Sequence, residues 1–374
     1  MRAFPRAGFL IALSASAALA QEPKPAPTKD PAIDYSGLVE FARVVAILEQ
    51  DREPTEADWQ RLFRTPGYAA LTYSEFPESF FTEFFGLVFM PSRQAELEER
   101  LASLADWRAR YLRHFVSVRE RWDEVMAYPD DPRPRAMIPE ARRLALEYLP
   151  ARARDHGTPP VAFVVFGPDA RGYVPVVMDA LQSLDNPDLV MFLGHEFHHY
   201  YRYAILDYDR SVITPEDEHI MWVFDQLHAE GTANQVNRRP QFQHEAEFAR
   251  RHGAFYEQYL SSPDVIREMD RLLTMMDAHP DQWVELGLAM RRAIPSSGHP
   301  TGFFMANLIA QELGMDELVE KVGNPFAFLR QYHAAALNAA GARGVGDGAV
   351  DAPILSDASL RVIERLERRY VANP

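Results

Sequence analysis

Residues 189–201 read Leu-Val-Met-Phe-Leu-Gly-His-Glu-Phe-His-His-Tyr-Tyr, and this stretch constrains the rest of the chain more than any other. Ahead of it, Asn186-Pro187-Asp188 supplies an N-cap, a proline suited to the first helical position and an acid in the first turn. Five apolar residues then lead into Gly194 and His195 without a polar interruption, so the helix they form is expected to be buried. On that helix His195 and His199 are one turn apart and share a face. Two imidazoles so placed can hold one Zn²⁺, with bonds of about 2.0–2.1 Å. Glu196 projects beside them and can reach a water at such an ion, the place of a general base in a hydrolase. The bland alternative is a pair of satisfied core histidines, which leaves Glu196 without a task. His198 is a spare imidazole that can pair with His195 at i, i+3. Gly194 weakens the helix slightly but lets another backbone come close.

Two histidines need a third ligand, and a catalytic site keeps a fourth position for water. The chain has no cysteine, so ligands must come from His, Asp and Glu. Glu230 is the first choice. Thr214-Pro215-Glu216-Asp217 has the residues of a helix start, and the helix it opens is expected to run to about Asn237. Glu230 lies on it among Ala229, Gly231 and Ala233, small residues that permit close helix packing. Asn234, one turn later on the same face, can hydrogen-bond a ligating histidine. His228, Asp225 and Glu218 are competitors for the third position.

His195-Glu196-x-x-His199 followed by Glu230-x-x-x-Asn234 resembles the gluzincin group of zinc metallopeptidases. The HEFHH stretch, the segment Glu230-Gly231-x-Ala233 and the later Gly298-x-Pro300-x-Gly302 also resemble a bacterial family of zinc-dependent peptidases with no settled substrate. The resemblance covers roughly residues 160–310. It implies one Zn²⁺ per chain on His195, His199 and Glu230, Glu196 as general base, and a peptide or protein substrate. His299, in a glycine-flanked loop at a helix start, would then stabilise the oxyanion, as a downstream His or Tyr does in several gluzincins. A loop histidine with no role is its alternative, and Tyr200, Tyr201 and Tyr203 are weaker candidates for that task. Gluzincins commonly carry an acid one turn after the glutamate, where this chain has Asn234. The same site can also serve another amide or ester. A zinc-binding protein without turnover is a further class, and it would be expected to close the site with a fourth protein ligand such as His198 or His228.

The first twenty residues read as a cleavable secretory signal: Arg2 and Arg6, an apolar core from Phe9 to Ala18, and Ala18-Leu19-Ala20 before Gln21. Export to the periplasm or beyond is therefore expected. An exported chain without cysteine must be held by its core alone. No later stretch is apolar and long enough to cross a bilayer. The net charge of −15 argues against nucleic acid and anionic membranes as partners. Residues 21–32 form a proline-rich tether, 33–150 an amino-terminal helical region, and 151–374 a zincin-like metallopeptidase domain with carboxy-terminal helices.

The expected fold is mainly α, an α+β multi-helix arrangement with a small β hairpin or sheet ahead of the metal helix. Helices are expected over 35–49, 55–63 (ended by Thr65-Pro66-Gly67-Tyr68), 76–90, 92–128 with a division at Asp106, and 139–148. The β-branched and aromatic runs 161–166 and 173–178 read as a hairpin around the turn at 167–172. Further helices follow over 243–260, 263–278, 281–293, 300–313, 324–340 and 356–370. The aromatic stripe of 76–90 is expected to pack inward rather than form a ligand groove. Oligomeric state is not encoded in any of these patterns.

Overall fold

Phe76, Phe80, Phe81, Phe84, Phe85 and Phe89 are all buried in the structure, a computed structural model that describes residues 33–341 and 351–371. The expected signal and tether lie outside the described residues. The chain is mainly α-helical with one small sheet. The described residues form two compact units, 33–136 with 158–189, and 137–157 with 190–341 and 351–371.

In the first unit the aromatic stripe from Phe80 to Phe89 belongs to the helix Glu78–Phe89, Phe76 precedes it, and all of it is core, as its spacing implied. Phe80 and Phe84 lie 4.6 Å apart between ring centroids, and Phe85 meets Phe115 of the helix Trp107–Glu120 edge-on at 5.1 Å. Such pairs prefer offset and edge-to-face geometry over a sandwich. Asp106 caps Trp107–Glu120 by accepting from the Arg108 N–H, so the division falls where its side chain can compete for backbone donors. Thr55 and Asp58 close a reciprocal capping box on the helix Glu56–Phe63. Thr65-Pro66, by contrast, opens a new helix, Pro66–Ser74, because a proline at the first helical position lacks only a donor that has no partner there.

The sheet has four short strands, β1 (Ile33–Asp34), β2 (Val161–Val164), β3 (Ala170–Arg171) and β4 (Val176–Asp179), in the order β1-β2-β4-β3. The expected hairpin does not form between 161–166 and 173–178. β2 and β4 are parallel neighbours, and only β3 turns back to pair antiparallel with β4. Every residue of β2 and β4 is buried, as in parallel strands covered on both faces, and the intervening residues 165–175 carry the chain back to the start of the ladder.

The second unit is built around the helix Glu218–Asn237, which is buried along almost its whole length. It packs against the helices Trp283–Ala293, His299–Glu312 and Pro325–Gly341. It starts three residues later than Thr214-Pro215 suggested. Asp217, which could have capped it, instead accepts from Trp283 Nε1 and Tyr370 Oη and pairs with Arg369. Tertiary partners outcompete the local cap there. The expected helix over 243–260 is two, Glu245–Arg251 and Gly253–Leu260, parted at His252. The last helix, Asp357–Tyr370, is capped by Ser356 and lays Val362, Ile363 and Leu366 on the core. Among the described residues no helix is long and apolar enough to cross a membrane.

Candidate metal centre

The apolar run before His195 does open a helix, Leu189–Ala204, in which Val190, Met191 and Phe192 are half-buried and Leu193 to His198 are buried. Gly194 faces the Ala141 carbonyl and Val236, and a Cβ there would stand 3.2 Å from Ala141 O. The helix thus brings its histidine face against Glu218–Asn237. That face carries His195 and His199, whose Nε2 atoms lie 3.0 Å apart. Glu230 Oε2 is 3.4 Å from each of them. His195, His199 and Glu230 are the one group of three or more such side chains, among the described residues, whose ligand atoms all come within 4.8 Å of one another.

These residues suit a zinc ion. Bonds of about 2.0–2.1 Å in a tetrahedron put ligand atoms roughly 3.3 Å apart, close to the three separations seen. Asn237 Oδ1 accepts from His195 Nδ1 at 3.2 Å. An amide oxygen can only accept, so the imidazole proton sits on Nδ1 and Nε2 offers its lone pair inward. Two nitrogen lone pairs and a carboxylate oxygen facing one point form a donor set for a cation. Glu230 Oε2 is buried without a well-aligned hydrogen bond, although imidazole nitrogens surround it. Burial alone would raise the Glu230 carboxyl. The facing His299, His199 and His195 outweigh that and hold it well below the usual carboxylate range.

Glu196, next to His195 on the same helix, is 5% exposed. His299 opens its helix after Ser296, Ser297 and Gly298, three successive residues at positive φ. Its Nδ1 lies 2.9 Å from Glu230 Oε2, and its ring stacks on that of His195 at 5.9 Å. The side chain is 38% exposed, so this edge of the group reaches solvent. The approach depends on a glycine pair. A Cβ on Gly231 would stand 2.5 Å from Gly302 O, and one on Gly302 would strike Leu227 O. Only without side chains at both positions can the two helices touch backbone to backbone.

Asn234 does not reach His195 or His199. Its amide donates to the His299 carbonyl oxygen at 3.3 Å. The residue that orients a histidine of the group is Asn237. Seven residues after Glu230 is nearly two full turns, so Asn237 returns to the same stripe more closely than Asn234 does. The period alone puts Asn237 on the stripe of Glu230, and the docked histidine helix decides that it meets His195.

The remaining candidates are engaged elsewhere. His198 directs Nε2 to Tyr148 O at 3.2 Å, and burial lowers its pKa well below the ordinary imidazole value. His228 and Asp225 both bind Arg202. Glu218 is three turns before Glu230, about 18 Å along the helix. Tyr201 donates to Gly157 O, and Tyr203 lies under the Arg210 guanidinium.

A sequence model of the family described as "Putative zinc dependent peptidase (DUF5700)" matches residues 59–341. The chain belongs to this family. The match embraces the whole His195, His199 and Glu230 group, and zinc is the cofactor that both the family and the donor set call for. No curated protein and no solved structure matches the chain.

Proposed function

We propose that the chain is an exported zinc metallopeptidase that hydrolyses peptide bonds by attack of a water molecule. His195, His199 and Glu230 hold the ion. Zinc, when bound, supplies Lewis acidity toward the scissile carbonyl and the attacking water. Glu196 takes the proton of that water and delivers it to the leaving amine. His299, at the solvent-reaching edge of the group beside Glu230, stabilises the oxyanion by a hydrogen bond donated from its ring.

The observation that carries this reading is the meeting of three ligand atoms, two from one helix and one from the next, with a buried carboxylate beside the first. The two imidazoles that would close a structural site, His198 and His228, are turned to Tyr148 and Arg202. That favours a three-ligand site with room for water and substrate. Export rests on the leader-like first twenty residues.

The test is metal content together with cleavage of a mixed peptide library, on the wild type and on Glu196→Gln. One zinc per chain in both proteins, with cleavage only by the wild type, is expected. Zinc in both with cleavage by neither would overturn the peptidase reading in favour of another amide or ester, or of zinc binding without turnover. Absence of zinc from both would overturn the metal site itself.

A further inference from the structure

Arg202 is 0% exposed, on the histidine helix one turn beyond His199. Its Nε donates to His228 Nδ1 at 3.1 Å, and its Nη2 donates to Asp225 Oδ1. Asp225 and His228 are themselves buried, and both stand on the helix of Glu230, within two turns before it. Tyr208 Oη donates to the same Asp225 oxygen at 2.6 Å.

A guanidinium is among the costliest groups to bury, and an apolar pair would join two helices as well or better. Apolar packing, however, tolerates sliding and rotation. A planar fork held at two of its nitrogens does not, because both the spacing and the azimuth of the partners are fixed. A zinc site needs that kind of definition, since its bond lengths vary by only about 0.2 Å.

We propose that Arg202 is a positioning residue for the zinc site: its buried fork on Asp225 and His228 sets the spacing and rotation between the helix of His195 and His199 and the helix of Glu230. The proposal rests on the reading that these three residues hold zinc. It assigns Arg202 no contact with metal or substrate. Its removal acts through ligand geometry.

The test is zinc affinity of the full chain, measured by competition with chelators of graded strength, beside Tm. Arg202→Lys keeps the charge and loses the fork. Asp225→Asn keeps the shape and loses the charge. Both are expected to bind zinc about ten- to a hundredfold more weakly, the usual effect of losing a supporting group behind metal ligands. Tyr208→Phe removes one hydrogen bond to Asp225, leaves every charge in place, and is expected to weaken binding severalfold. Asp217→Asn, which removes the charge paired with Arg369 and leaves one acceptor oxygen where Trp283, Arg369 and Tyr370 use two, is expected to lower Tm with wild-type zinc affinity. Wild-type affinity in Arg202→Lys and Asp225→Asn, with Tm lowered, would reduce the fork to a plain structural contact and overturn the proposal. If neither variant folds, unchanged affinity in Tyr208→Phe overturns it. A wild type that takes up no zinc would instead overturn the metal reading on which the proposal stands.

Discussion

At the scale of single residues, the centre depends on which ring nitrogen carries a proton. Asn237 holds the His195 proton on Nδ1, and this leaves Nε2 for the metal. Asn237→Ala frees the ring to rotate and to change tautomer. We expect zinc affinity to fall about ten- to a hundredfold, read by chelator competition, with a small change in Tm. An unchanged affinity would show that Asn237 has no part in orienting His195. The two histidines and Glu196 were legible in the sequence because one helical turn is a local geometry, independent of what packs around it. The oriented asparagine was misassigned because the angle between Glu230 and its own helix neighbours matters only once a second helix is docked.

At the scale of elements, the decisive contact is the crossing of Glu218–Asn237 and His299–Glu312 at Gly231 and Gly302. Gly302→Ala places a Cβ on the Leu227 carbonyl, where backbone and not a flexible side chain must yield. Overpacking of this kind costs about 1–3 kcal/mol or more, and it should part His299 from Glu230. Gly253→Ala is the contrast: a Cβ there meets nothing within 4 Å, and helix propensity favours the change by up to ~1 kcal/mol. Urea denaturation of the two variants should show a lowered midpoint for the first and an unchanged or raised one for the second. Equal effects would remove the argument for a tight crossing. The small residues around Glu230 announced a close approach, but not which helix would make it.

At the scale of the molecule, the buried charges make stability depend on pH. Burial alone would raise the Asp225 carboxyl, yet Arg202 and Arg210, with hydrogen bonds from Arg202 and Tyr208, hold it far below the usual carboxylate range. Its pKa in the unfolded chain is about 3.9, so the folded state binds fewer protons than the unfolded state in acid. The stabilisation is therefore complete well above pH 4 and is lost as pH falls through and below the unfolded value. Asp225→Asn should be much less stable than the wild type at pH 7, and the gap should narrow below about pH 4. Denaturant midpoints of both proteins across pH 3–7 measure it; a gap that stays constant would mean the carboxylate is not held by these cations. The charge pairing behind this effect could not be read beforehand. Arg202 stands near a helix end, and nothing local to it names Asp225 or His228.

Periodicity, capping residues and the run of apolar side chains were enough to establish most helices, the aromatic core of Glu78–Phe89 and the shared face of His195 and His199. All of these follow from interactions over one or two turns of a single segment. Tertiary structure alone decided the parallel pairing of β2 and β4, the late start of the helix at Glu218, the assignment of Asn234 to His299 and Asn237 to His195, and the burial of Arg202. Each is settled by a partner distant in the chain, and the energy of such a contact exists only after the elements have docked.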